Sequence, residues 1–238
     1  MAKHSMDSYK ASMVKKIGHS EEVKFNMLFG GYTLESLNLS GASADCIVEK
    51  EPFKSQIQSA LDYNKDDYTV SLKSGKTWQF HLGVIEEISS LEYIKQNISV
   101  SIDDKGKEKT IVKHSKSFEE QCKALNSVDF WNKYFKKGEL LCYNDKNGNY
   151  TFFEMNKAIE AIFQGFEWRL LETGRIKGDC RIGGALKKGV ITIEYRNEDH
   201  KKCLVLGASG GTNDNANGYR LFTFFKERIK YLEIRPLN

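Results

Sequence analysis

Strand-forming and helix-forming segments alternate along this chain, and this mixture is what most limits the fold it can adopt. One strand pattern is "DYTVSLK" at 67–73, where Tyr68, Val70 and Leu72 alternate with polar residues. A helix pattern starts at Ser20, a good N-cap residue, and has two glutamates in its first turn. The mixture predicts an α/β or an α+β protein.

Turn-forming residues divide the chain further. They predict hairpins at 97–114 and 139–155, and a soft boundary near 137–148 that separates residues 1–137 from residues 138–238. The other predicted elements are helices at 5–17, 20–29, 117–136 and 156–172, a helical or irregular segment at 51–62 and a partly helical segment at 78–97. Strands are predicted at 45–50, 189–196, 201–208, 220–226 and 231–236.

Composition and short motifs exclude several classes of protein. No run of 18 apolar residues exists among the 238, and the first sixteen lack the apolar core of a secretory signal. Five scattered cysteines without a CxxC pair predict reduced thiols in a cytoplasmic protein, and no zinc site or disulfide framework. The turn at 145–154 has its glycine fourth rather than sixth, so we expect a plain hairpin and no calcium loop.

The positive charge is concentrated in one segment. The net charge is +4, and residues 175–202 hold eight basic against four acidic residues, so this segment accounts for the whole excess. A local basic surplus favours a polyanionic partner such as nucleic acid. The alternative is an ordinary solvated hairpin.

Three residues at the ends of two predicted strands suit metal-dependent hydrolysis. Asp45 opens one strand and Lys73 closes the other, while Ser71 lies on the same strand face as Lys73. A carboxylate holds the hard cation Mg²⁺, and a lysine beside it meets the charge that develops on a phosphate. The set predicts phosphodiester hydrolysis; the alternatives are a structural ion pair or a solvated strand face.

"SAD" at 43–45 and "SLK" at 71–73 resemble the active-site pattern of the PD-(D/E)XK nucleases, the commonest fold of type II restriction endonucleases. Alanine replaces the proline and Ser71 the second acid, as in the small monomeric MspI-like enzymes. The resemblance implies an α/β fold, with a mixed β-sheet flanked by helices in a nuclease core at 1–137 and an α+β DNA-recognition subdomain at 138–238. It also implies a Mg²⁺ site at Asp45, Ser71 and the Leu72 carbonyl, with Lys73 as the catalytic lysine.

Two further segments resemble regions of these enzymes. "GHSEEVKFNML" at 18–28 resembles the N-terminal helix whose glutamate supports the metal, which makes Glu22 the first candidate and Glu21 the second. "SGKTWQFH" at 74–81 resembles the polar segment that faces DNA. The predicted DNA contacts are therefore Lys76, Thr77, Gln79, His81, Arg175, Lys177, Arg181, Lys187 and Lys188.

The leading hypothesis is a cytoplasmic, Mg²⁺-dependent restriction endonuclease that cuts specific sites in double-stranded DNA and acts as a monomer without a protein partner. A second hypothesis is a repair or recombination nuclease of the same fold that recognises DNA structure. A third is a nucleic-acid-binding protein without catalysis. If the basic segment does not read bases, the Asn-rich loop Thr212–Asn217 is the next candidate.

Overall fold

The computed structural model describes residues 20–30, 46–84, 98–106, 108–112, 138–145, 147–171, 175–198 and 201–236. Within these residues the protein is α/β, with one mixed and one antiparallel sheet flanked by helices, which confirms the predicted class. No helix within these ranges is long and apolar enough to cross a membrane. The helices are α1 (20–29), α2 (Phe53–Leu61), α3 (Met155–Gly165) and α4 (Asn217–Lys226).

The strands form two five-stranded sheets and a separate hairpin. The mixed sheet has the order β1-β2-β6-β7-β12, the antiparallel sheet has the order β3-β11-β10-β9-β8, and β4 pairs with β5. Their bounds are β1 Cys46–Val48, β2 Tyr68–Ser74, β3 Trp78–Val84, β4 Ile98–Ile102, β5 Glu108–Val112, β6 Leu140–Asn144, β7 Tyr150–Glu154, β8 Phe166–Leu170, β9 Ile176–Ile182, β10 Ala185–Glu198, β11 Lys201–Ala208 and β12 Leu232–Ile234.

The chain forms two compact units that are interleaved in sequence. The first unit comprises Met1–Leu72, Gly138–Glu154 and Tyr231–Asn238, and the second comprises Lys73–Lys137 and Met155–Lys230. One crossing between them falls between residues 137 and 138, where the sequence predicts a boundary. The assignment of catalysis and DNA recognition to the two sides of that boundary stays a prediction.

Aromatic side chains fill the core of the first unit. Phe25 and Phe29 on α1 are fully buried, and their ring centroids lie 4.6 Å apart. The Phe29 ring also contacts Tyr150 and Phe152 of β7, at 5.0 and 5.5 Å between centroids. Burial of each such ring contributes about 1.5–3 kcal/mol, so this cluster fixes α1 against the mixed sheet.

The antiparallel sheet of the second unit buries one face. Trp78 and Phe80 alternate with polar residues on β3 and are almost fully buried. Trp78 stacks with Phe225 of α4 at 6.3 Å, and Phe166 of β8 meets Phe224 edge-on at 4.7 Å. One covered face and one polar face is the usual condition of an antiparallel sheet.

Three predicted segments differ from the structure. Residues 78–84 form β3 and not a helix, because Trp78 and Phe80 alternate with polar residues and the backbone of this segment pairs with β11. The helix predicted at 156–172 ends at Gly165, where a Cβ atom would approach Phe224 within 2.7 Å, and β8 follows. Residues 220–226 belong to α4, because Leu221, Phe224 and Phe225 line one buried helical face.

The hairpins predicted at 97–114 and 139–155 and the helix at 20–29 are confirmed. In the second hairpin the Asp145 carboxylate accepts bonds from Asn147 N at 2.7 Å, Asn149 N at 3.1 Å and Asn149 Nδ2 at 2.6 Å. These bonds close the turn of the hairpin. The helices predicted at 5–17 and 117–136 lie outside the described residues.

Candidate active site

The two strands that carry the Asp/Ser/Lys pattern are neighbours in the mixed sheet. β1 pairs with β2 in antiparallel register, with Cys46 opposite Val70. Asp45 is bonded to Cys46 in the chain, and Ser71 directly follows Val70. Asp45 itself lies outside the described residues. The start of β1 and the Ser71 end of β2 therefore lie at the same edge of the sheet.

The residues of the "SLK" stretch have different surroundings along β2. On the polar face Thr69 is exposed, whereas Ser71 is only 7% exposed. Leu72 is partly buried and packs against the core of the first unit. A small hydroxyl in such a confined place is unusual for a solvated strand face, where a serine would meet water.

Lys73 belongs to the second unit and is half-buried. Its Nζ atom lies 4.5 Å from the centroid of the Phe80 ring, and Phe80 is 2% exposed. The negative face of an aromatic ring attracts an ammonium group, and this attraction strengthens when the pair is removed from water. The contact holds the Lys73 side chain beside β3.

Helix α1 runs beside β1 in the same direction. The Asn26 Oδ1 atom accepts a bond from Ile47 N at 2.9 Å, and the Phe29 carbonyl accepts bonds from Glu49 N and Lys50 N, both at 2.9 Å. Glu22 lies one helical turn before Asn26 on the same side of α1. It is therefore on the side of the helix where β1 begins.

Glu21, the second candidate, is bound to the protein. Its carboxylate accepts a bond from Nδ2 of the buried Asn144 at 2.8 Å and pairs with Lys24 Nζ at 3.1 Å. Burial first, and then the negative charge of Glu21, raises the pKa of Tyr150 to about 12. These contacts give Glu21 a structural role at the end of β6.

The end of β6 lies at the same edge as the end of β2. The two strands are neighbours in the mixed sheet, and Glu139 N donates to the Thr69 carbonyl at 2.8 Å near their amino ends. Both strands then run in the same direction. Asn144 lies five residues beyond Glu139 and Ser71 only two residues beyond Thr69, so β6 ends farther along the sheet than Ser71. In the first unit, α1, β2 and β6 thus contribute the Glu21 carboxylate, the Ser71 hydroxyl and the Asn144 amide toward this end of the sheet.

The described residues contain no group of three or more His, Cys, Asp or Glu side chains placed to hold a metal ion. The predicted ligand set depends on Asp45, so the metal site stays a prediction. The donors proposed for it are carboxylate, hydroxyl and carbonyl oxygens. These hard oxygen donors are the ones that Mg²⁺ prefers.

The predicted DNA contacts are distributed over three regions of the second unit. Lys76 and Thr77 are exposed in the turn after β2, and Gln79 is exposed on β3, where His81 pairs with Val205. Arg181 Nη1 donates to the Gly184 carbonyl at 3.1 Å, and Lys177 Nζ donates to Thr192 Oγ1. Arg175 and Lys187 are half-buried, and Lys188 is exposed.

The register of the antiparallel sheet brings two of these residues into one row. Directly opposite residues of neighbouring strands share a face, and the successive pairs run Arg169–Lys177–Thr192–Gly207–Gln79. Lys177 and Gln79 therefore lie on the same polar face. Arg169 is not among the predicted DNA contacts, although the alternation of apolar and polar residues in "FEWRL" places its side chain on the polar face. Its Nε bonds Asp179 Oδ2 at 2.9 Å.

No protein-family model, no curated protein and no solved structure matches this chain. The resemblance to the PD-(D/E)XK nucleases therefore depends on the residues of the chain itself.

Proposed function

We propose that this protein is a Mg²⁺-dependent endonuclease of the PD-(D/E)XK fold that cuts specific sites in double-stranded DNA, as type II restriction enzymes do. The observation that carries the proposal is the antiparallel pairing of β1 and β2. Asp45 and Ser71 directly flank the opposed residues Cys46 and Val70, with Lys73 two residues farther along β2.

Each residue of the proposed site has one chemical task. Asp45, the Ser71 hydroxyl and the Leu72 carbonyl would hold Mg²⁺, and Glu22 would add a second carboxylate from α1. Bound Mg²⁺ supplies Lewis-acid polarisation of the phosphate and a lowered pKa for water. Lys73 keeps a positive charge near the phosphate oxygens, where negative charge increases as the bond to phosphorus breaks.

The test is cleavage of plasmid DNA. The purified protein is incubated with supercoiled plasmid and Mg²⁺, or with EDTA, and the ends of any products are sequenced. We expect discrete fragments with a common end sequence, and only when Mg²⁺ is present. Uncut plasmid at all Mg²⁺ concentrations would contradict the proposal. Products with random end sequences would show that the cleavage is not sequence-specific.

A second candidate function is DNA binding without catalysis. The observation that favours it is the Lys73–Phe80 contact, because a lysine held by an aromatic ring can have a purely structural role. This candidate predicts that the protein retards duplex DNA in a gel and leaves the plasmid intact with Mg²⁺. The plasmid experiment therefore separates the two functions.

A further inference from the structure

Three segments that are distant in sequence meet at the first residues of α4, within the second unit. Gly218 N donates to the Lys76 carbonyl at 3.0 Å, which ties α4 to the turn after β2. The Asn217 Nδ2 atom donates to the carbonyls of Gly189 at 3.0 Å and Ser209 at 2.8 Å. These bonds connect the turn, a point inside β10 and the loop 209–216.

The point inside β10 is a β-bulge. The register with β9 shifts between Lys187 and Ile191, and Gly189 has a φ of 62°. Gly189 N donates to Oδ1 of the buried Asp179 at 2.6 Å, so both backbone polar groups of this residue are bound. A bulge changes the direction of neighbouring side chains, and here the exposed neighbour is Lys188.

The loop 209–216 also has a defined backbone. Asn213–Asn215 forms a 3-10 turn, closed by Asn215 N to the Thr212 carbonyl at 3.0 Å. Asn213 has a φ of 48°, a left-handed conformation that asparagine tolerates. Both asparagines are exposed. Asn215 Oδ1 lies 3.5 Å from Arg220 Nη2, its donor, at the long limit of a hydrogen bond. Asn217 is different, because it is 7% exposed and its Nδ2 atom is committed to backbone carbonyls.

We propose that Lys76, Lys188, Asn213 and Asn215, here called the α4 surface, bind double-stranded DNA. The lysines contact phosphates, and the two asparagines contact base edges, where an amide pairs with N6 and N7 of adenine. Asn217 and Asp179 are positioning residues that hold the loop and the bulge. The proposal depends on the proposed function in one respect: the substrate is duplex DNA.

Charge and chemistry favour this occupant. The α4 surface has two exposed lysines and two exposed amides, and the loop contributes a single carboxylate, that of Asp214. Lysines bind the phosphate chain without regard to sequence, whereas amides discriminate between bases. A surface that carries both can bind and read duplex DNA.

The first experiment measures binding without a divalent ion, so that it does not depend on cleavage. Fluorescence anisotropy follows a fluorescein-labelled duplex of random sequence at about 50 to about 200 mM KCl. For the double variant K76A/K188A we expect about tenfold or more weaker binding and a salt slope reduced by about 2. The control K230A changes an exposed lysine beyond the other end of α4 and should bind like the parent. Equal binding by K76A/K188A and K230A would overturn the assignment of the lysines.

The second experiment measures the recognition of base sequence. N213A and N215A are compared with the exposed control N156A on the sites mapped by plasmid cleavage, after circular dichroism shows that all are folded. We expect each loop variant to cut the mapped site about 5- to 150-fold more slowly and to accept a changed base there, with random-duplex binding preserved. Unchanged rates and sites would overturn the α4 surface as the reader and leave the nuclease proposal standing. A parent protein that does not bind duplex DNA would overturn both proposals.

Discussion

At the scale of the single residue, Lys73 can have one of two roles. They differ in the group that its ammonium group contacts. In the nuclease role it meets a phosphate beside Asp45. In the structural role it only packs on the Phe80 ring, whose centroid lies 4.5 Å from Nζ. The roles predict opposite results for DNA cleavage when the charge is removed.

We expect D45A and K73A each to lower Mg²⁺-dependent cleavage by at least about 100-fold, because each removes a group that acts on the reacting phosphate. Binding to duplex DNA without metal should change little. The measurement is the initial rate of plasmid linearisation beside an anisotropy titration. D66A and K230A, which change exposed residues, are the matched controls. A variant at Asp45 or Lys73 that cuts at nearly the parent rate would show that the site is misassigned.

We expect Ser71→Ala to have a milder effect than Asp45→Ala. A hydroxyl contributes no charge to the cation, and water or the Leu72 carbonyl can replace it. For the same reason the parent should need millimolar rather than micromolar Mg²⁺. A Mg²⁺ titration of the cleavage rate for both proteins measures these effects. If S71A loses activity as completely as D45A, the serine has a role beyond metal coordination.

We expect substitutions of Glu21 and Glu22 to have different effects in the same Mg²⁺ titration. Glu22→Gln removes a carboxylate on the side of α1 where β1 begins, so the Mg²⁺ concentration for half-maximal cleavage should rise several-fold. Glu21→Gln keeps an oxygen that can accept the Asn144 bond, so it should leave the metal requirement unchanged. The reverse pattern would make Glu21 the residue that supports the metal.

At the scale of elements, the β6–β7 hairpin shows how a local turn controls some of the stability. Although partial burial raises it, hydrogen bonds from Asn149 and Asn147 bring the pKa of the Asp145 carboxyl below its ordinary value. A carboxyl with a lowered pKa in the folded state stabilises that state above its unfolded pKa of about 3.9. The stabilisation disappears as the pH falls through the folded pKa.

We therefore expect Asp145→Asn to lower the free energy of unfolding by about 1 kcal/mol at neutral pH. The difference from the parent should vanish in strong acid, where the parent carboxyl is protonated. Urea denaturation of both proteins over a series of pH values measures it. D104N, in the turn between β4 and β5, is the control and should show no such pH-dependent difference. A constant difference at all pH values would mean that the charge of Asp145 is not its source.

At the scale of the whole molecule, the first unit is assembled from three stretches of chain. Its core rings Phe25 and Phe29 contact Tyr150 and Phe152, which come from the second stretch. We expect the fragment 1–137 to be unfolded by circular dichroism, because it lacks β6 and β7. A cooperative thermal transition of that fragment would show that this core does not need the hairpin.

Some of this architecture follows from local sequence alone. Glu21 and Glu22 after Ser20 favour helix α1, and turn residues at Asp103–Gly106 and Asp145–Asn149 favour two hairpins, because these signals act within a few residues. The candidate pattern of Asp45, Ser71 and Lys73 is also readable in the chain, since it needs only residue types and the two-residue repeat of a strand.

Long-range pairing decided the rest. Residues 78–84 became β3 through their register with β11, and the aromatic residues 220–226 became α4 because a buried helical face packs on the sheet. The row from Arg169 to Gln79 exists only in the folded sheet, since five strands supply one residue each. The meeting of Lys76, Gly189 and the loop 209–216 likewise depends on hydrogen bonds from Asn217 and Gly218. Such contacts join residues far apart in the chain, and no local propensity encodes them.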